Sequence, residues 1–164
     1  NRGDRIALVG RNGCGKSSLL KLLIGQPIAH TGTLEIGSRL TVSYVPQDMS
    51  FLSGSADNFA AESEIDITLF KTILRKLDFK RTQFTKDMSE FSMGQKKKVL
   101  LARSLCQRAN LYIWDEPLNY IDVISRLQIE TLILEYKPTM LFVEHDEAFV
   151  NDIATKVCRI SLNQ

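Results

Sequence analysis

Residues 10–17 constrain the fold most strongly, because they read Gly-Arg-Asn-Gly-Cys-Gly-Lys-Ser between two segments of different periodicity. The apolar run at 5–9 predicts a strand, and leucines at helical spacing within 16–24 predict a helix. A glycine-rich loop in this position lets backbone N–H groups surround phosphate oxygens, and the helix N-terminus adds positive potential. The sequence therefore predicts a phosphate-binding loop.

Two side chains in this loop suit a nucleotide with a divalent cation. We expect the Lys16 ammonium to contact the β- and γ-phosphates and the Ser17 hydroxyl to bind Mg²⁺. A chance glycine-rich turn is a poor alternative, because the motif is complete and lies between a strand and a helix. The residues that we predict to bind ATP are Gly10, Arg11, Asn12, Gly13, Cys14, Gly15, Lys16, Ser17 and Ser18.

A second acidic motif follows the apolar run at 111–114, where the chain continues as Asp115-Glu116-Pro117. Ligands meet an open parallel sheet at the carboxyl ends of its strands. We therefore expect Asp115 to be a Mg²⁺ ligand and Glu116 to polarise the attacking water as general base. An acidic strand end that only caps the next helix is the alternative, and the phosphate loop upstream argues against it.

Two single residues also follow predicted strands: Gln47 after the run at 40–45, and His145 after the run at 140–143. A lone Gln or His is more often a solvated or structural group than a catalytic one. Proximity to the phosphate site favours a catalytic role, because an amide can orient water or bind Mg²⁺ and an imidazole can hydrogen-bond a γ-phosphate.

The segment Ser92-Met93-Gly94-Gln95 precedes a helix predicted at 93–105. Its small residues and free N–H groups are typical of an anion-binding helix N-terminus, although one domain has no second phosphate to occupy it. The plain alternative is an N-cap, Ser89 or Ser92, on an ordinary helix whose lysines at 96–98 form a solvated face. Composition alone favours this alternative.

The remaining pattern predicts one α/β domain of 164 residues with a mostly parallel sheet, because strands alternate with helices. Further helices are predicted at 124–134 and 148–153, and further strands at 140–143 and 157–162. Runs at 33–36 and 40–45 alternate across Gly37-Ser38 and predict a short antiparallel strand pair. The chain from 50 to 63 is polar and turn-rich, and an amphipathic helix near 70–77 completes a helical insert at about 50–92.

Charge and cysteine content leave the partner open. A formal net charge of +2 does not indicate nucleic acid, and three cysteines far apart in sequence indicate neither a disulfide framework nor a zinc site. No apolar run reaches the length of a membrane span, and the N-terminus lacks the layout of a signal peptide. We therefore expect a cytoplasmic domain, and because the chain opens on Asn1 just ahead of its first strand, one truncated at its N-terminus from a longer protein.

Taken together, the motifs resemble the nucleotide-binding domain of the ABC ATPases over nearly the whole chain. They correspond to Walker A at 10–17, the Q-loop at Gln47, the signature at 91–95, Walker B at 112–116, the D-loop at 118–122 and the switch histidine at His145. The resemblance implies a P-loop fold of the ABC type, with ATP and Mg²⁺ as cofactors and ATP hydrolysis as the activity.

The same resemblance implies a partner, because two such domains pair head to tail. The signature residues Ser92, Met93, Gly94 and Gln95 then act on ATP held by the other cassette, and Asp122 closes the D-loop. Phe91 and Met93 depart from the usual leucine and glycine. The family's adenine-stacking aromatic lies upstream of Walker A, ahead of Asn1, so we expect the isolated domain to hydrolyse ATP weakly or not at all.

The subclass is predicted from spacing and from local motifs. Only 43 residues lie between Gln47 and Phe91, a shorter helical insert than that of transporter domains. The segments at 95–98, 118–122 and 143–148 resemble the second cassette of ABC-F proteins of the antibiotic-resistance type, which implies the ribosome and its RNA as partner. A transporter subunit with a membrane permease partner is the alternative, and a cassette that binds ATP without hydrolysis is argued against by Glu116.

Overall fold

Five strands form one parallel sheet in the computed structural model, which describes residues 1–161. The strands are β1 (Arg5–Val9), β2 (Val42–Val45), β3 (Leu111–Asp115), β4 (Met140–Val143) and β5 (Lys156–Arg159). Their order across the sheet is β2-β3-β4-β1-β5, and every neighbouring pair is parallel. The predicted parallel sheet is thus confirmed. The last strand begins one residue earlier than predicted and ends at Arg159, short of the predicted range, whose last residue, Leu162, lies outside the described residues.

Six α-helices accompany the sheet within residues 1–161. They are α1 (Lys16–Leu23), α2 (Ala56–Glu62), α3 (Ile67–Lys76), α4 (Met93–Cys106), α5 (Val123–Tyr136) and α6 (Glu147–Ile153). Two single-turn 3₁₀ helices, Arg81–Gln83 and Met88–Glu90, lie between α3 and α4.

The central strands β3, β4 and β1 pack on both of their faces, which is why their sequences are nearly continuous apolar runs, whereas all four residues of the edge strand β5 are exposed. Side chains alternate between two clusters: Ala7 packs in the larger one and Leu8 in the smaller, and Trp114 and Ile113 divide in the same way. The smaller cluster packs against leucines of α1, and the larger contains side chains of α3 to α6. Helices therefore cover the sheet from both sides.

Strand register brings the predicted motifs to one edge of the sheet. Val143 of β4 lies opposite Leu8 of β1 on one side and opposite Asp115 of β3 on the other. Val45 at the end of β2 lies opposite Trp114. The phosphate loop, Gln47, the two carboxylates and His145 thus all leave the carboxyl ends of adjacent strands.

Two local predictions for residues 33–63 are wrong. Within the described residues the antiparallel strand pair does not form: residues 31–40 are exposed and none of them belongs to a strand, and only Val42–Val45 joins the sheet. The segment 50–63, predicted as turns, contains α2, which is capped by Ser55 and buries Ala56 and Ala60. Alanines four residues apart make one helix face, although they give little apolar periodicity.

Candidate active site

The phosphate loop connects β1 to α1 through glycines that no other residue could replace freely. Gly13 and Gly15 have φ angles of +78° and +92°, in the left-handed region that strongly favours glycine. A Cβ on Gly10 would lie 2.6 Å from the carbonyl oxygen of Ile160, so the loop also passes too close to the chain after β5 for a side chain. The loop shape therefore depends on the glycines that the sequence analysis singled out.

Lys16 begins α1 and folds back over this loop. Its Nζ donates hydrogen bonds to the carbonyl oxygens of Gly10 at 2.9 Å and Arg11 at 3.0 Å, and the side chain is buried. The ammonium thus lies above the loop, next to the backbone that would surround a phosphate group. A cavity of about 320 Å³ adjoins it, and Gly10, Glu144 and His145 also line this cavity.

Ser17 and Asp115 meet although 98 positions separate them in sequence. The Ser17 hydroxyl donates to Asp115 Oδ1 at 3.3 Å, and the other oxygen of Asp115, Oδ2, is buried without a hydrogen-bond partner. Burial raises the pKa of the Asp115 carboxyl above its usual value, and the nearby Glu116 charge adds to the effect. A buried carboxylate oxygen with no partner, beside a hydroxyl, fits a Mg²⁺ ligand set completed by phosphate oxygens and water.

Glu116 is held at the centre of three polar side chains. Its Oε2 accepts hydrogen bonds from Gln47 Nε2 at 2.9 Å and from Asn119 Nδ2, and its Oε1 lies 3.4 Å from His145 Nε2. The Glu116 backbone has a φ of +50°, and its N–H donates to the Val143 carbonyl. The structure therefore brings Gln47, Glu116 and His145 together, as their positions at strand ends suggest.

This geometry suits base catalysis. The Glu116 side chain is 16% exposed, so it is neither sealed from solvent nor freely solvated. Its carboxylate can accept a proton from a water molecule that the neighbouring amide and imidazole orient. Asn119 is a member of this group that the sequence analysis missed, and its position three residues after Glu116 in a turn is the signal that could have indicated it.

Glu144 is a second residue that the sequence analysis missed. Its side chain is buried, and it accepts hydrogen bonds from three backbone N–H groups: those of His145 at 2.7 Å, Asp146 at 3.3 Å and Leu118 at 3.1 Å. The carboxylate therefore ties the start of the segment 118–122 to the backbone of the predicted switch histidine. A charged residue directly after a buried strand is the signal in the sequence.

The segment Ser92–Gln95 forms a reciprocal cap at the start of α4. Ser92 Oγ accepts from the Gln95 N–H, and Gln95 Oε1 accepts from the Ser92 N–H, so part of the helix N-terminus is satisfied internally. Ser92 and Met93 are exposed. The cavity beside them is lined by Gly94, Tyr120 and Asp122 among others, and it shares no lining residue with the cavities at the phosphate loop.

The solvated lysine face proposed as the plain alternative for α4 is wrong. Lys97 is fully buried and Lys98 is 8% exposed, because helical spacing places Lys97 on the same side as Leu100 and Leu101. The Lys98 ammonium lies 2.6 Å from Asp122, which also caps α5. Burial opposes ionisation of Asp122, but hydrogen bonds from Lys98 and Ser125 outweigh it and lower the pKa of the carboxyl to about 2.

Residues 1–161 contain neither a cluster of metal ligands nor a membrane-spanning helix. In that range no group of three or more His, Cys, Asp or Glu side chains is arranged to hold a metal ion. A magnesium site of one carboxylate and one hydroxyl does not require such a group. None of the described helices combines the length and the apolar character needed to span a membrane.

A parallel sheet with a phosphate loop and carboxylates at adjacent strand ends defines the class of P-loop nucleotide-binding domains. The sequence model of the ABC transporter family matches residues 1–119. The chain therefore belongs to the ABC transporter family and is an ATP-binding domain of it. ATPase domains of this family in general bind ATP with Mg²⁺ and hydrolyse it.

Several relatives are similar across nearly the whole chain. The chain is 37% identical to YdiF of Bacillus subtilis strain 168 over 98% of its length, and 36% identical to the ATP-binding protein Uup of Escherichia coli K12 over 94%. It is 30% identical over 97% to the ABC transporter F family member 2 of Arabidopsis thaliana. The chain spans only 26%, 26% and 24% of these three proteins.

Solved structures show the same fold. A chain from the complex of an archaeal ribosomal stalk protein with the archaeal ribosome recycling factor aABCE1 matches with a TM-score of 0.79 and 27% identity, over 97% of this chain and 32% of that one. The ATP-binding subunit of an ABC transporter matches with a TM-score of 0.83 and 21% identity, over 98% of this chain and 75% of that one. The second likeness shows the fold alone.

Proposed function

We propose that this domain binds ATP through residues 10–18 and hydrolyses it when Mg²⁺ is bound by Ser17 and Asp115, with Gln47 as a further ligand. When bound, Mg²⁺ would supply positive charge beside the β- and γ-phosphates and so stabilise the negative charge that develops as the bond between them breaks. Lys16 exchanges its loop carbonyls for phosphate oxygens, and the backbone N–H groups of the loop face the same charge.

Glu116 is the general base in this proposal. The observation that carries the assignment is the contact of one carboxylate with Gln47, Asn119 and His145 at the sheet edge beside Asp115. Gln47 and His145 orient the attacking water and the γ-phosphate, and Glu116 takes the proton that the water loses. These groups come from three strand ends of one domain. Together they form one side of the proposed site, the side next to the phosphate loop.

The other side of the site is supplied by a second cassette, paired head to tail with this one. Ser92 and Met93 of the signature are exposed, and the cavity beside the signature shares no lining residue with the cavities of its own phosphate loop. An exposed helix N-terminus with a small residue at Gly94 suits a phosphate held by another domain. The length of the relatives, about four times that of this chain, leaves room for such a cassette in the same polypeptide.

Substitution of Glu116 tests the assignment. In the full-length protein we expect Glu116→Gln to keep ATP binding and to lower turnover by a factor of about 10² or more, because the amide cannot accept the proton. Glu35→Gln, at an exposed position remote from the site, is the matched control. Lys16→Ala should lose ATP binding. Turnover that is unchanged in Glu116→Gln would overturn the assigned base.

We propose further that the whole protein is a cytoplasmic ABC-F protein that acts on the ribosome and its RNA. The support is the assignment of the Arabidopsis relative to the ABC transporter F family and the likeness to a structure of a ribosome recycling factor with a ribosomal stalk protein. Co-sedimentation of the Glu116→Gln protein with ribosomes in the presence of ATP, and not of ADP, is the expected result. Recovery with a membrane permease instead would favour the transporter alternative.

We propose, more specifically, that this domain is the second cassette of an ABC-F protein of the antibiotic-resistance type. The motifs at 95–98, 118–122 and 143–148 support it by their resemblance to such cassettes. Expression of the full-length protein in a susceptible bacterium should raise the inhibitory concentration of a ribosome-targeting antibiotic, and the Lys16→Ala variant should not. Equal inhibition of both strains across a panel of such drugs would refute this step.

A further inference from the structure

Lys97 is the largest charged side chain that the described structure buries completely. It projects from the second turn of α4, five residues after Ser92, and it is 0% exposed. Its Nζ donates to the carbonyl oxygen of Pro46 at 3.2 Å and lies 3.5 Å from that of Asp115. The ammonium therefore joins the residue before Gln47 to the end of β3.

The surroundings of Lys97 are acidic without a direct ion pair. Asp115, Glu116 and Glu144 all act on its charge, yet no carboxylate oxygen of the described residues lies within 4.0 Å of its Nζ. A buried cation without a direct carboxylate partner gains less from pairing than it loses on leaving water. Stability alone thus gives no reason for a lysine at this position.

A methionine at position 97, with a side chain of similar length, would fill the same volume. Replacing buried charges with apolar residues of similar volume is often neutral or stabilising. What methionine cannot do is hydrogen-bond two strand-end carbonyls or offset the negative potential of three carboxylates. These two properties belong to the active site rather than to the core.

We propose that Lys97 is a positioning residue for the ATPase site. It holds the segment that carries Gln47 against the strand end that carries Asp115 and Glu116, and it offsets the charge of the acidic group. Because Lys97 belongs to the helix that starts at the signature, a shift of α4 moves this ammonium relative to both strand ends. The inference rests on the proposed function of Glu116. It adds to the site a fully buried residue that acts through the segments carrying the catalytic groups.

The test compares Lys97→Met, Lys97→Gln and the control Lys76→Met, which removes an exposed lysine at the end of α3, all in the full-length protein. We expect Lys97→Met to unfold at the wild-type temperature or above it, and to bind a fluorescent ATP analogue within about threefold of wild type. Turnover should nevertheless fall about tenfold or more with KM nearly unchanged. Lys97→Gln, which can still donate to carbonyl oxygens, should recover part of that loss.

A readout independent of turnover is Mn²⁺ binding in the presence of ATP, followed by electron paramagnetic resonance. Removal of the buried positive charge should tighten Mn²⁺ binding about threefold in Lys97→Met, whereas Lys76→Met should leave it unchanged. Wild-type turnover and Mn²⁺ affinity in Lys97→Met would overturn the inference, as would a turnover loss matched by an equal loss of thermal stability. Either result leaves the Glu116→Gln outcome, and with it the proposed function, untouched.

Discussion

A Cβ on Gly94 would lie 2.4 Å from the carbonyl oxygen of Tyr120, so the first turn of α4 and the loop before α5 touch backbone to backbone. Tyr120 has a φ of +67°, and the loop is further held by the Lys98–Asp122 pair. The predicted signature and the predicted D-loop are therefore in direct contact, although they are separate motifs in the sequence.

This contact predicts the cost of a methyl group at position 94. Gly94→Ala must displace the Tyr120 carbonyl, and we expect it to lower the free energy of unfolding by about 1–3 kcal/mol. Gly37→Ala is the control, because that glycine has no positive φ and no atom within 4 Å of its added Cβ. Urea unfolding of both variants measures the difference. Equal stability of the two would contradict the close approach.

The burial of Asp115 predicts that its replacement stabilises the nucleotide-free protein but impairs Mg²⁺-dependent ATP binding. Its carboxylate is 1% exposed with one oxygen unpartnered, so Asp115→Asn should raise the free energy of unfolding of the nucleotide-free protein by about 1 kcal/mol. In the same variant, the ATP affinity should no longer depend on Mg²⁺, so that values measured with Mg²⁺ and with EDTA are equal. Asp152→Asn, at an exposed position in α6, should change neither quantity. A lower stability of Asp115→Asn than of wild type would contradict the absence of a hydrogen-bond partner for Asp115 Oδ2.

Asp122 predicts a defined pH dependence. Its folded pKa of about 2 lies below the ordinary value of 3.8, so its charge stabilises the fold above pH 4 and loses that effect as the pH falls toward 2. Because the side chain is 46% exposed, we expect a contribution of about 1 kcal/mol. Asp122→Asn keeps a capping oxygen but not the charge. The stability difference from wild type should shrink by about half between pH 7 and pH 3, and a constant difference would exclude the ionic contribution.

The hydrogen bonds of Glu144 predict that its removal destabilises two loops at once. Glu144→Ala removes the acceptor of three backbone N–H groups, and we expect a destabilisation of about 2–4 kcal/mol, since three partly buried donors are left unpaired. Hydrogen exchange should accelerate at the amides of Leu118 and His145 together. Glu135→Ala, exposed near the end of α5, is the control. Acceleration at His145 alone would show that the two loops are independent.

The parts of this structure that follow local rules could be predicted from the sequence. Strand β1 and strand β4 were predicted to the residue, because apolar runs next to turn signals indicate buried parallel strands. Gln47, Glu116 and His145 were predicted at one site for a geometric reason, since all three follow strands of one parallel sheet. The structure adds that they contact each other.

The remaining features depend on long-range packing. The lysine run at 96–98 is polar in composition, and only the packing of α4 shows that Lys97 is buried under β2 and β3. Residues 33–36 have the composition of a strand, but a strand requires a hydrogen-bonded neighbour, and within the described residues this segment pairs with none of the five strands. Asn119 and Glu144 each have a local signal in the sequence, but no local pattern identifies the contact of Glu144 with the Leu118 N–H, 26 positions away.

The two hydrogen bonds from Lys16 to Gly10 and Arg11 have a consequence for affinity. The Lys16 ammonium has three N–H donors, and two of them already bond to these carbonyl oxygens, so phosphate oxygens would compete with the loop for them. In the proposed function, the contribution of Lys16 to ATP affinity is therefore the difference in free energy between its loop-bonded and its phosphate-bonded states. A substitution that weakens the internal state, without touching any atom that contacts phosphate, would tighten nucleotide binding.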